Sequence, residues 1–372
     1  MTSAPTPSTP ATADRPNVHG LRPDALAAHL VARGAPCTAG HARSLLASAL
    51  AFHPAARPKR SAVPRAVRLA FDEHVDHRGL DVVERVTDPA DGFVKYLLRS
   101  PDGALSEAVR IPLEKPGMYT VCLSSQVGCA MGCTFCATGR LGLTRHLAAW
   151  EIVAAWKAVR DELPADGSAR VTGVVFMGQG EPLHNYDEVL AAAGILSDPS
   201  GGRIKAESIS ISTVGVVPAM LRYAAEGHRY RLIVSLTSAV EARRARYLPV
   251  TRRWGLGELA AAIRTLFAAH GERVTVAWVV MAGVNTGQDE VDALRALLGD
   301  LPLRVNLIDV NDATGAHQRA DPAELDAFRD RLRALGVPVV RRYSGGRERD
   351  AACGMLAATR HAEDLATPVA SA

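Results

Sequence analysis

The spacing of hydrophobic and polar residues changes character three times along the chain. Residues 1–17 are rich in Pro, Thr and Ser and have no apolar period, which predicts a disordered tail. Apolar residues then recur at helical spacing, with helices indicated near residues 24–31 and 41–52. Residues 80–120 change to alternating, β-branched segments separated by Asp-Gly turns, which predicts a short β meander.

From residue 119 onward, segments with strand character alternate with segments of helical period. The predicted strands cover residues 119–124, 171–177, 207–212, 231–236, 274–280 and 303–309, and the predicted helices cover 147–160, 186–197, 216–226, 256–270, 287–299 and 322–335. Six strand–helix units in succession predict an α/β fold with a parallel sheet curled into a partial or full barrel. A doubly wound open sheet is the alternative.

These changes divide the chain into five parts. The expected division is a tail over 1–17, a basic helical accessory domain over 18–75, a β meander over 76–118, a barrel core over 119–357 that ends in a cysteine-containing loop, and a tail over 358–372. In a parallel barrel, functional side chains gather where the strands end.

Composition excludes several classes of protein. Of the 372 residues, 48% are hydrophobic and 22% are charged, as in ordinary globular proteins. The first 17 residues lack the apolar core of a signal peptide, and no apolar run approaches the roughly 20 residues needed to span a bilayer. Six cysteines, four of them clustered, do not form a secreted disulfide framework. We therefore expect a cytoplasmic protein with no membrane partner.

The net charge of +4 is less informative than its distribution. Between Arg15 and Arg68 there are nine Lys or Arg residues and one acidic residue, Asp24. A domain-sized segment with this bias favours contact with a nucleic-acid backbone, and a solvated basic face is the alternative.

The most distinctive stretch is residues 122–136, which holds four of the six cysteines. Cys129, Cys133 and Cys136 have C-x3-C-x2-C spacing and offer three thiolates from one loop. A closed zinc site needs a fourth ligand, and zinc sites more often pair C-x2-C with a distant second pair. Three thiolates suit a cubane iron–sulfur cluster with one iron left open to a ligand that is not protein.

Polar and glycine residues follow the next predicted strands. Gly180-Glu181 follows the second strand and could receive a ligand ammonium, although Gly-x-Gly-Glu alone is a common tight turn. The other candidates at strand ends are Ser212, Thr213, Ser235, Leu236, Thr237, Asn306 and Asn311. Cys353 lies in a Gly- and Arg-rich loop near the C-terminus, which favours a reactive thiolate over a buried thiol.

Taken together, these motifs resemble the radical S-adenosylmethionine (SAM) superfamily, and within it the RlmN/Cfr methyltransferases. The resemblance is carried by Cys-Leu-Ser-Ser-Gln-Val-Gly-Cys at 122–129, Gly-Gln-Gly-Glu-Pro-Leu-His-Asn at 178–185, Ser-Thr-Val-Gly-Val-Val-Pro at 212–218 and Asp-Ala-Ala-Cys-Gly at 350–354. It spans about residues 80–357, and the N-terminal module loosely. It implies a radical SAM barrel in which Cys129, Cys133 and Cys136 hold a 4Fe–4S cluster. The implied SAM-binding residues are Gly180, Glu181, Ser212, Ser235, Leu236, Thr237 and Asn311.

The resemblance also implies a reaction. Family members methylate an adenosine of 23S ribosomal RNA at adenine C2 or C8, and some also act on transfer RNA. By this likeness Cys353 carries the methyl group as S-methylcysteine, and Cys122 resolves the adduct through a transient disulfide with Cys353. Glu107 accepts a proton. Such chemistry needs an electron donor such as flavodoxin or ferredoxin.

The sequence departs from the family pattern at four positions near the expected site. Thr237 stands where the family usually has His, Thr251 replaces Asn, Asp312 replaces Pro and Met355 replaces Gln. The alternatives are the same radical chemistry on a peptide or small molecule, and a non-enzymatic cluster or zinc protein.

Overall fold

The N-terminal part of the chain is a three-helix module. The computed structural model describes residues 15–50, 62–271, 273–312, 314–342 and Gly345. The helices are α1 (Pro23–Val31), α2 (Ala39–Ala49) and α3 (Arg65–His74). Thr38 caps α2 by accepting a hydrogen bond from the His41 amide. Sequence reasoning located the first two helices and missed α3, whose Val67 and Phe71 complete the module's core.

A ten-stranded sheet is the centre of the second part of the described chain. Its strands are β1 (Asp81–Thr87), β2 (Val94–Arg99), β3 (Leu105–Pro112), β4 (Met118–Leu123), β7 (Arg170–Phe176), β8 (Ile209–Thr213), β9 (Arg231–Ser235), β10 (Val274–Val280), β11 (Leu303–Asp309) and β12 (Val339–Arg342). Strands β1 to β4 are antiparallel, and the pairs from β4 to β12 are parallel. The meander is therefore an antiparallel extension of the main sheet.

The strand order rules out the doubly wound alternative. Neighbouring strands follow chain order from β1 to β12 without a reversal, whereas a doubly wound sheet reverses its order at a switch point. The sheet is curled, because one cavity is lined by Val109 of β3 and also by Ile308 of β11 and Arg342 of β12. Among the described residues β12 does not pair with β1, so the barrel is partial.

Helices cover the outer face of the barrel. They are α5 (Ala149–Asp161), α6 (Tyr186–Ser197), α7 (Val217–Glu226), α8 (Glu241–Tyr247), α9 (Leu256–His270), α10 (Gln288–Leu298) and α11 (Pro322–Arg333). Their apolar stripes pack on the outward residues of the strands, such as Val174 and Phe176 of β7 and Trp278 of β10, in one continuous core. The alternate strand residues face the inside of the barrel. No helix in the described ranges is long and apolar enough to cross a membrane.

The helical module docks on the outside of this barrel. Arg160 of α5 donates a hydrogen bond of 2.6 Å to the carbonyl of Leu50, just after α2. Gly20 lies against Trp150, where an added Cβ would come within 3.0 Å of the Trp150 Cβ. The module is thus held against α5 by a buried charged hydrogen bond and close packing.

A small hairpin carries the cysteine loop. Strand β5 (Gln126–Cys129) pairs with β6 (Gly142–His146), and the short helix α4 (Ala137–Arg140) lies between them. The alternating pattern of the sequence did not predict this hairpin. Gly128 makes the pairing possible: its φ is +75°, and an added Cβ would lie 2.0 Å from the Gly142 carbonyl oxygen.

Candidate functional site

The three cysteines of the C-x3-C-x2-C motif lie at the end of β5 and in the loop that follows. Cys129 and Cys133 are buried, and Cys136 is half-buried. The Cys136 amide donates to the Cys133 carbonyl at 3.1 Å, so the last two cysteines share a tight turn. One short loop thus presents three thiols beside the carboxyl ends of the barrel strands.

The electrostatics of the loop show that the thiols lie near one another. The pKa of Cys129 is raised to about 12, chiefly by burial, with a smaller contribution from the charges of Cys136 and Glu181. Burial also raises the pKa of Cys133 well above its usual value, reinforced by Cys136 and Cys129. Without a metal centre Cys129 and Cys133 hold their protons at neutral pH, and a bound metal would displace these protons.

The loop fits an iron–sulfur cluster better than a single metal ion. Among the described residues no group of three His, Cys, Asp or Glu side chains is placed to hold a metal ion. A closed zinc site needs four protein ligands, and the loop offers three. Three cysteines from one loop are instead a donor set for a cluster. Leu248, Met281 and Val310 pack around Cys133 and provide the apolar shell that shields such a centre.

Glu181 is tied into the backbone of two neighbouring strand ends. Its carboxylate accepts the Leu183 amide at 2.9 Å and the Val214 amide, just after β8, at 2.9 Å. Burial raises the pKa of this carboxyl to about 7, and the backbone hydrogen bonds act in the opposite direction. Gly180, at φ +97°, approaches Gln126 so closely that a Cβ would lie 2.6 Å from the Gln126 Cβ. The predicted Gly180-Glu181 pair therefore lies directly against the cysteine hairpin.

Gln126 connects the hairpin to this turn, and sequence reasoning assigned it no role. It is fully buried, and its side-chain oxygen accepts the Glu181 amide at 2.9 Å. Its Nε2 lies 2.9 Å from Nδ1 of His146 and 3.3 Å from Nδ1 of His184. The sequence did contain a signal for this role, because Gln126 is the one residue with a side-chain amide between Cys122 and Cys129.

The other expected SAM contacts lie at the ends of β8, β9 and β11. The hydroxyls of Ser212 and Ser235 are 3.2 Å apart on adjacent strands. Leu236 is buried, and Asn311 accepts a hydrogen bond from Arg319. The structure therefore places this set at neighbouring carboxyl ends of the sheet, as the barrel topology predicts.

Thr237 has an unusual backbone. Its φ is +60°, a left-handed conformation that is unfavourable for a β-branched residue. The conformation is held by Asn285, which is fully buried and donates to the Thr237 carbonyl at 2.7 Å. The Thr237 hydroxyl is buried without a hydrogen-bond partner among the described residues. Strain together with an unsatisfied hydroxyl is typical of a ligand-binding position.

Arg244 is a buried cation that sequence reasoning missed. Its guanidinium donates to the Leu236 carbonyl at 3.0 Å, the Thr251 hydroxyl at 2.6 Å and the Val214 carbonyl at 2.6 Å. Burial lowers its pKa to about 10. The Arg244 charge favours the thiolate of Cys133, so it offsets negative charge at the cysteine loop. Three arginines lie within residues 243–246, and no pattern in the sequence marks Arg244 as the buried one.

Inside the barrel is a cavity of about 340 Å³ that contains Cys122, and we call it the Cys122 cavity. Cys122 of β4 lies opposite Val109 of β3 and packs with Val109 and Phe93. Gly345, eight residues before Cys353, lines the same cavity. Cys353 itself lies outside the described residues.

Glu107 lies on the same inner face as Cys122. It precedes Val109, the partner of Cys122, by two residues on β3, so their side chains point to the same side of the sheet. The side chain is buried, 3% exposed, and Oε1 lies 3.8 Å from the Lys95 Nζ. The Glu107 carbonyl also accepts the Ser124 hydroxyl at 2.6 Å. The structure therefore places Glu107 inside the barrel and not on an exposed strand surface.

Comparison with known proteins identifies the family. The radical SAM superfamily model matches residues 123–296. A probable RNA methyltransferase of Anaeromyxobacter sp. (strain Fw109-5) is 57% identical over 272 residues, 73% of this chain and 79% of that protein. The dual-specificity RNA methyltransferase RlmN of the same strain is 37% identical over 303 residues, 80% of this chain and 79% of that protein. The chain belongs to the radical SAM methyltransferases of the RlmN type.

A solved structure supports the same assignment for this RlmN-type chain. The crystal structure of a radical SAM methyltransferase from Sphaerobacter thermophilus matches 92% of the chain and 99% of its own length, with a TM-score of 0.82 and 35% identity. Fold class and family, both expected from the motifs, are therefore confirmed.

Three of the four residues at which this RlmN-type chain differs from the family pattern lie in the described part of the structure. Thr237 is the strained residue, and Thr251 accepts the hydrogen bond of Arg244. Asp312 pairs with Arg140 of the cysteine loop. Met355 lies outside the described residues.

Proposed function

We propose that this chain is a radical SAM enzyme that methylates an adenosine base carbon, C2 or C8, of 23S ribosomal RNA, with transfer RNA as a second substrate. The observation that carries the proposal is the position of Cys122 in the barrel cavity that Gly345 also lines. A C-terminal segment that reaches this cavity can bring Cys353, eight residues later, to Cys122.

The Cys122 cavity suits one nucleobase. Its volume of about 340 Å³ falls in the range of small-molecule pockets. Val109, Val175 and Met177 offer apolar contact to a flat base, and Ser210 offers a hydroxyl. A base must leave its stack to enter the barrel, and single-stranded RNA loops allow this at modest cost.

The reaction needs more than ordinary methyl transfer, because adenine C2 and C8 have no lone pair to attack a methyl sulfonium. Cys129, Cys133 and Cys136 would hold the 4Fe–4S cluster. The residues that would hold SAM are Gly180, Glu181, Ser212, Ser235, Leu236, Thr237 and Asn311. Together the two groups would supply methyl groups and a carbon radical. The buried cation Arg244 and the apolar shell of Cys133 would stabilise that centre and exclude water from it.

Two further cysteines, Cys353 and Cys122, have different roles in the transfer of the methyl group. Cys353 would accept a methyl group on its thiolate sulfur and lose one hydrogen atom of that group to the carbon radical, so that the carbon can bond to the base, and one electron would return to the centre. Once the carbon is bound to adenine as a methylene group, the Cys122 thiolate attacks the Cys353 sulfur and a Cys122–Cys353 disulfide forms. The sulfur–carbon bond breaks with its electron pair on the methylene carbon, which takes up a proton and becomes the methyl group of the product. Glu107, on the same inner face as Cys122, accepts the proton that leaves the base.

Two further partners follow from this scheme. A one-electron donor of the flavodoxin or ferredoxin class would reduce the centre, and cytosolic thiols would reduce the disulfide after each turnover.

The basic N-terminal module, docked on α5, would contact RNA phosphates around the target.

The test is mass spectrometry of nucleosides from RNA treated with the protein. Unmodified, in-vitro transcribed fragments of 23S ribosomal RNA and transfer RNA are incubated anaerobically with the reconstituted protein, SAM and a reductant. The proposal predicts 2-methyladenosine or 8-methyladenosine, absent with Cys353→Ala. If no RNA gains a methyl group while SAM is still cleaved, the same chemistry acts on another substrate and the proposal fails.

A further inference from the structure

Three arginines point into the barrel from the strands opposite Cys122. Arg231 begins β9, Arg304 is the second residue of β11 and Arg342 ends β12. Arg342 pairs with Ile308, which lines the Cys122 cavity, and Arg304 lies four residues before Ile308 on the same face of β11. All three therefore lie on the concave face of the sheet.

These arginines connect two cavities. A second cavity of about 650 Å³ opens at the end of the barrel where β9, β10 and β11 begin, and we call it the arginine cavity. All three arginines line it, and Arg231 and Arg342 also line the Cys122 cavity together with Ser210. The two cavities therefore meet at Arg231 and Arg342, which belong to the lining of both.

No carboxylate among the described residues pairs with the three arginines. Glu207 also lines the arginine cavity but pairs with Arg229 at 2.6 Å. Asp309 of β11 pairs with Arg341 at 2.9 Å. Arg342 is exposed as a residue, but partial burial of its guanidinium lowers its pKa. The charges of Arg231 and Arg304 lower it further, because the three guanidinium groups repel one another. An anion bound between the three guanidinium groups would relieve this repulsion.

We propose that Arg231, Arg304 and Arg342 bind backbone phosphates of the RNA strand that carries the target nucleotide, and that this strand reaches Cys122 through the arginine cavity. The inference rests on the proposed function, which places the target base in the Cys122 cavity. The phosphates of a nucleotide are tied to its base through the ribose, so they lie at the rim of that cavity. Arg231 and Arg342 occupy that rim.

The chemistry of the cavity suits phosphate. Guanidinium groups bind phosphate oxygens through two parallel hydrogen bonds, and no carboxylate in the described part of the chain occupies these donors. Asn306 and Ser210 line the same cavity and can donate to phosphate or ribose oxygens. Tyr230 and His228, also in its lining, stack with centroids 6.1 Å apart and offer aromatic faces to neighbouring bases.

The experiment measures RNA binding of the full-length, reconstituted protein. Arg231→Gln, Arg304→Gln, Arg342→Gln and the Arg231/Arg342 double variant are compared with Arg295→Gln by fluorescence anisotropy at several salt concentrations. Arg295 lies exposed on α10, outside the barrel, so its variant loses the same charge without touching either cavity. The probe is the unmodified 23S ribosomal RNA fragment.

Each barrel variant should weaken binding roughly ten-fold, as expected for a lost charged hydrogen bond. Each should also lower the slope of log affinity against log salt by about 0.7–0.9 per phosphate contact. Arg295→Gln should leave both quantities unchanged. Arg231→Lys and Arg342→Lys keep the charge and should retain the slope, and iron content and circular dichroism verify folding.

Two results would overturn the inference. One is RNA affinity and salt slope in the double variant equal to those of the wild-type protein. The other is binding of inorganic pyrophosphate that the arginine substitutions weaken, together with RNA binding that they leave unchanged. That result would assign the cluster to a small anion. A failure of the proposed function would look different. In that case the arginine variants would still bind RNA more weakly than the wild-type protein, but no RNA would be methylated.

Discussion

Arg140 and Asp312 form an ion pair of 2.8 Å that joins the cysteine loop to the segment after β11. Arg140 also donates to the Thr134 carbonyl at 2.7 Å, between Cys133 and Cys136. Asp312 is one of the departures from the family pattern, where proline is usual. Burial alone would raise the pKa of Asp312, but the hydrogen bonds from Arg140 and Thr314 outweigh it and hold the pKa at about 2. The carboxylate is therefore charged at neutral pH and anchors the loop.

Removing that anchor should loosen the cysteine loop. Asp312→Asn loses the charge that holds Arg140, which costs about 1–2 kcal/mol of local stability. We expect faster loss of iron from the reconstituted protein in air, followed by the decay of its visible absorbance. The control is Asp300→Asn, which breaks the Arg264–Asp300 pair of 2.8 Å on the outside of the barrel. Equal iron loss in both variants would show that Asp312 does not anchor the loop.

Replacement of any one of Cys129, Cys133 and Cys136 by Ser should abolish the cluster. A lost thiolate leaves two protein ligands, too few to hold a cubane, so iron and sulfide per chain should fall several-fold. Cys37→Ser is the matched control, because Cys37 is buried in the N-terminal module. Cys122→Ala should also retain iron. Retention of iron and sulfide by a Cys133→Ser protein would contradict the assigned ligand set.

Glu107→Gln should slow methylation without weakening RNA binding. The amide is close in size to the carboxylate but cannot accept a proton, and loss of a general base typically costs about 10²–10⁴-fold in rate. Single-turnover kinetics with saturating RNA measure the effect. Glu114→Gln removes an exposed carboxylate from the residues just after β3 and should leave the rate unchanged. A Glu107→Gln rate within a factor of two of wild type would exclude the role.

Substitutions of Thr237 distinguish the effect of its strained backbone from the effect of a contact between its hydroxyl and SAM. Thr237→Gly relieves the left-handed backbone, and Thr237→Ala keeps a Cβ there, so the Gly variant should be the more stable by about 1 kcal/mol in thermal unfolding. Both variants lose the buried hydroxyl, so both should bind SAM more weakly by a similar factor. If SAM affinity were unchanged in both variants, the hydroxyl would not contact the cofactor.

The parallel part of the fold could be predicted from the sequence because its strands are buried and apolar on their outer face. The six predicted strands lie within two residues of β4 and β7–β11. Strand β12 (Val339–Arg342) was missed because Val-Val-Arg-Arg is short and largely exposed. The β5–β6 hairpin was missed because its pairing depends on the positive φ of Gly128, which an apolar pattern does not report.

In the candidate site, too, some residues could be predicted from the sequence and others could not. The cysteines and the Gly180-Glu181 turn could be selected from the sequence because a cluster and a ligand ammonium would need those residue types at that spacing, and the structure brings the turn against the cysteine hairpin. Arg244, Gln126 and Asn285 could not, because each acts through buried hydrogen bonds to backbone groups distant in sequence. The role of Asp312 likewise required its partner Arg140, 172 residues away, to be known.

The two-cysteine relay is tested most directly by trapping its covalent intermediate. Cys122→Ala, incubated anaerobically with SAM, a reductant and the unmodified RNA, should accumulate a protein–RNA adduct joined through Cys353. The adduct should be visible as a shifted band and by mass spectrometry of the Cys353 peptide. The Cys122→Ala/Cys353→Ala double variant should form none. Multiple turnover by Cys122→Ala without an adduct, or methylation of RNA by Cys353→Ala, would contradict the account.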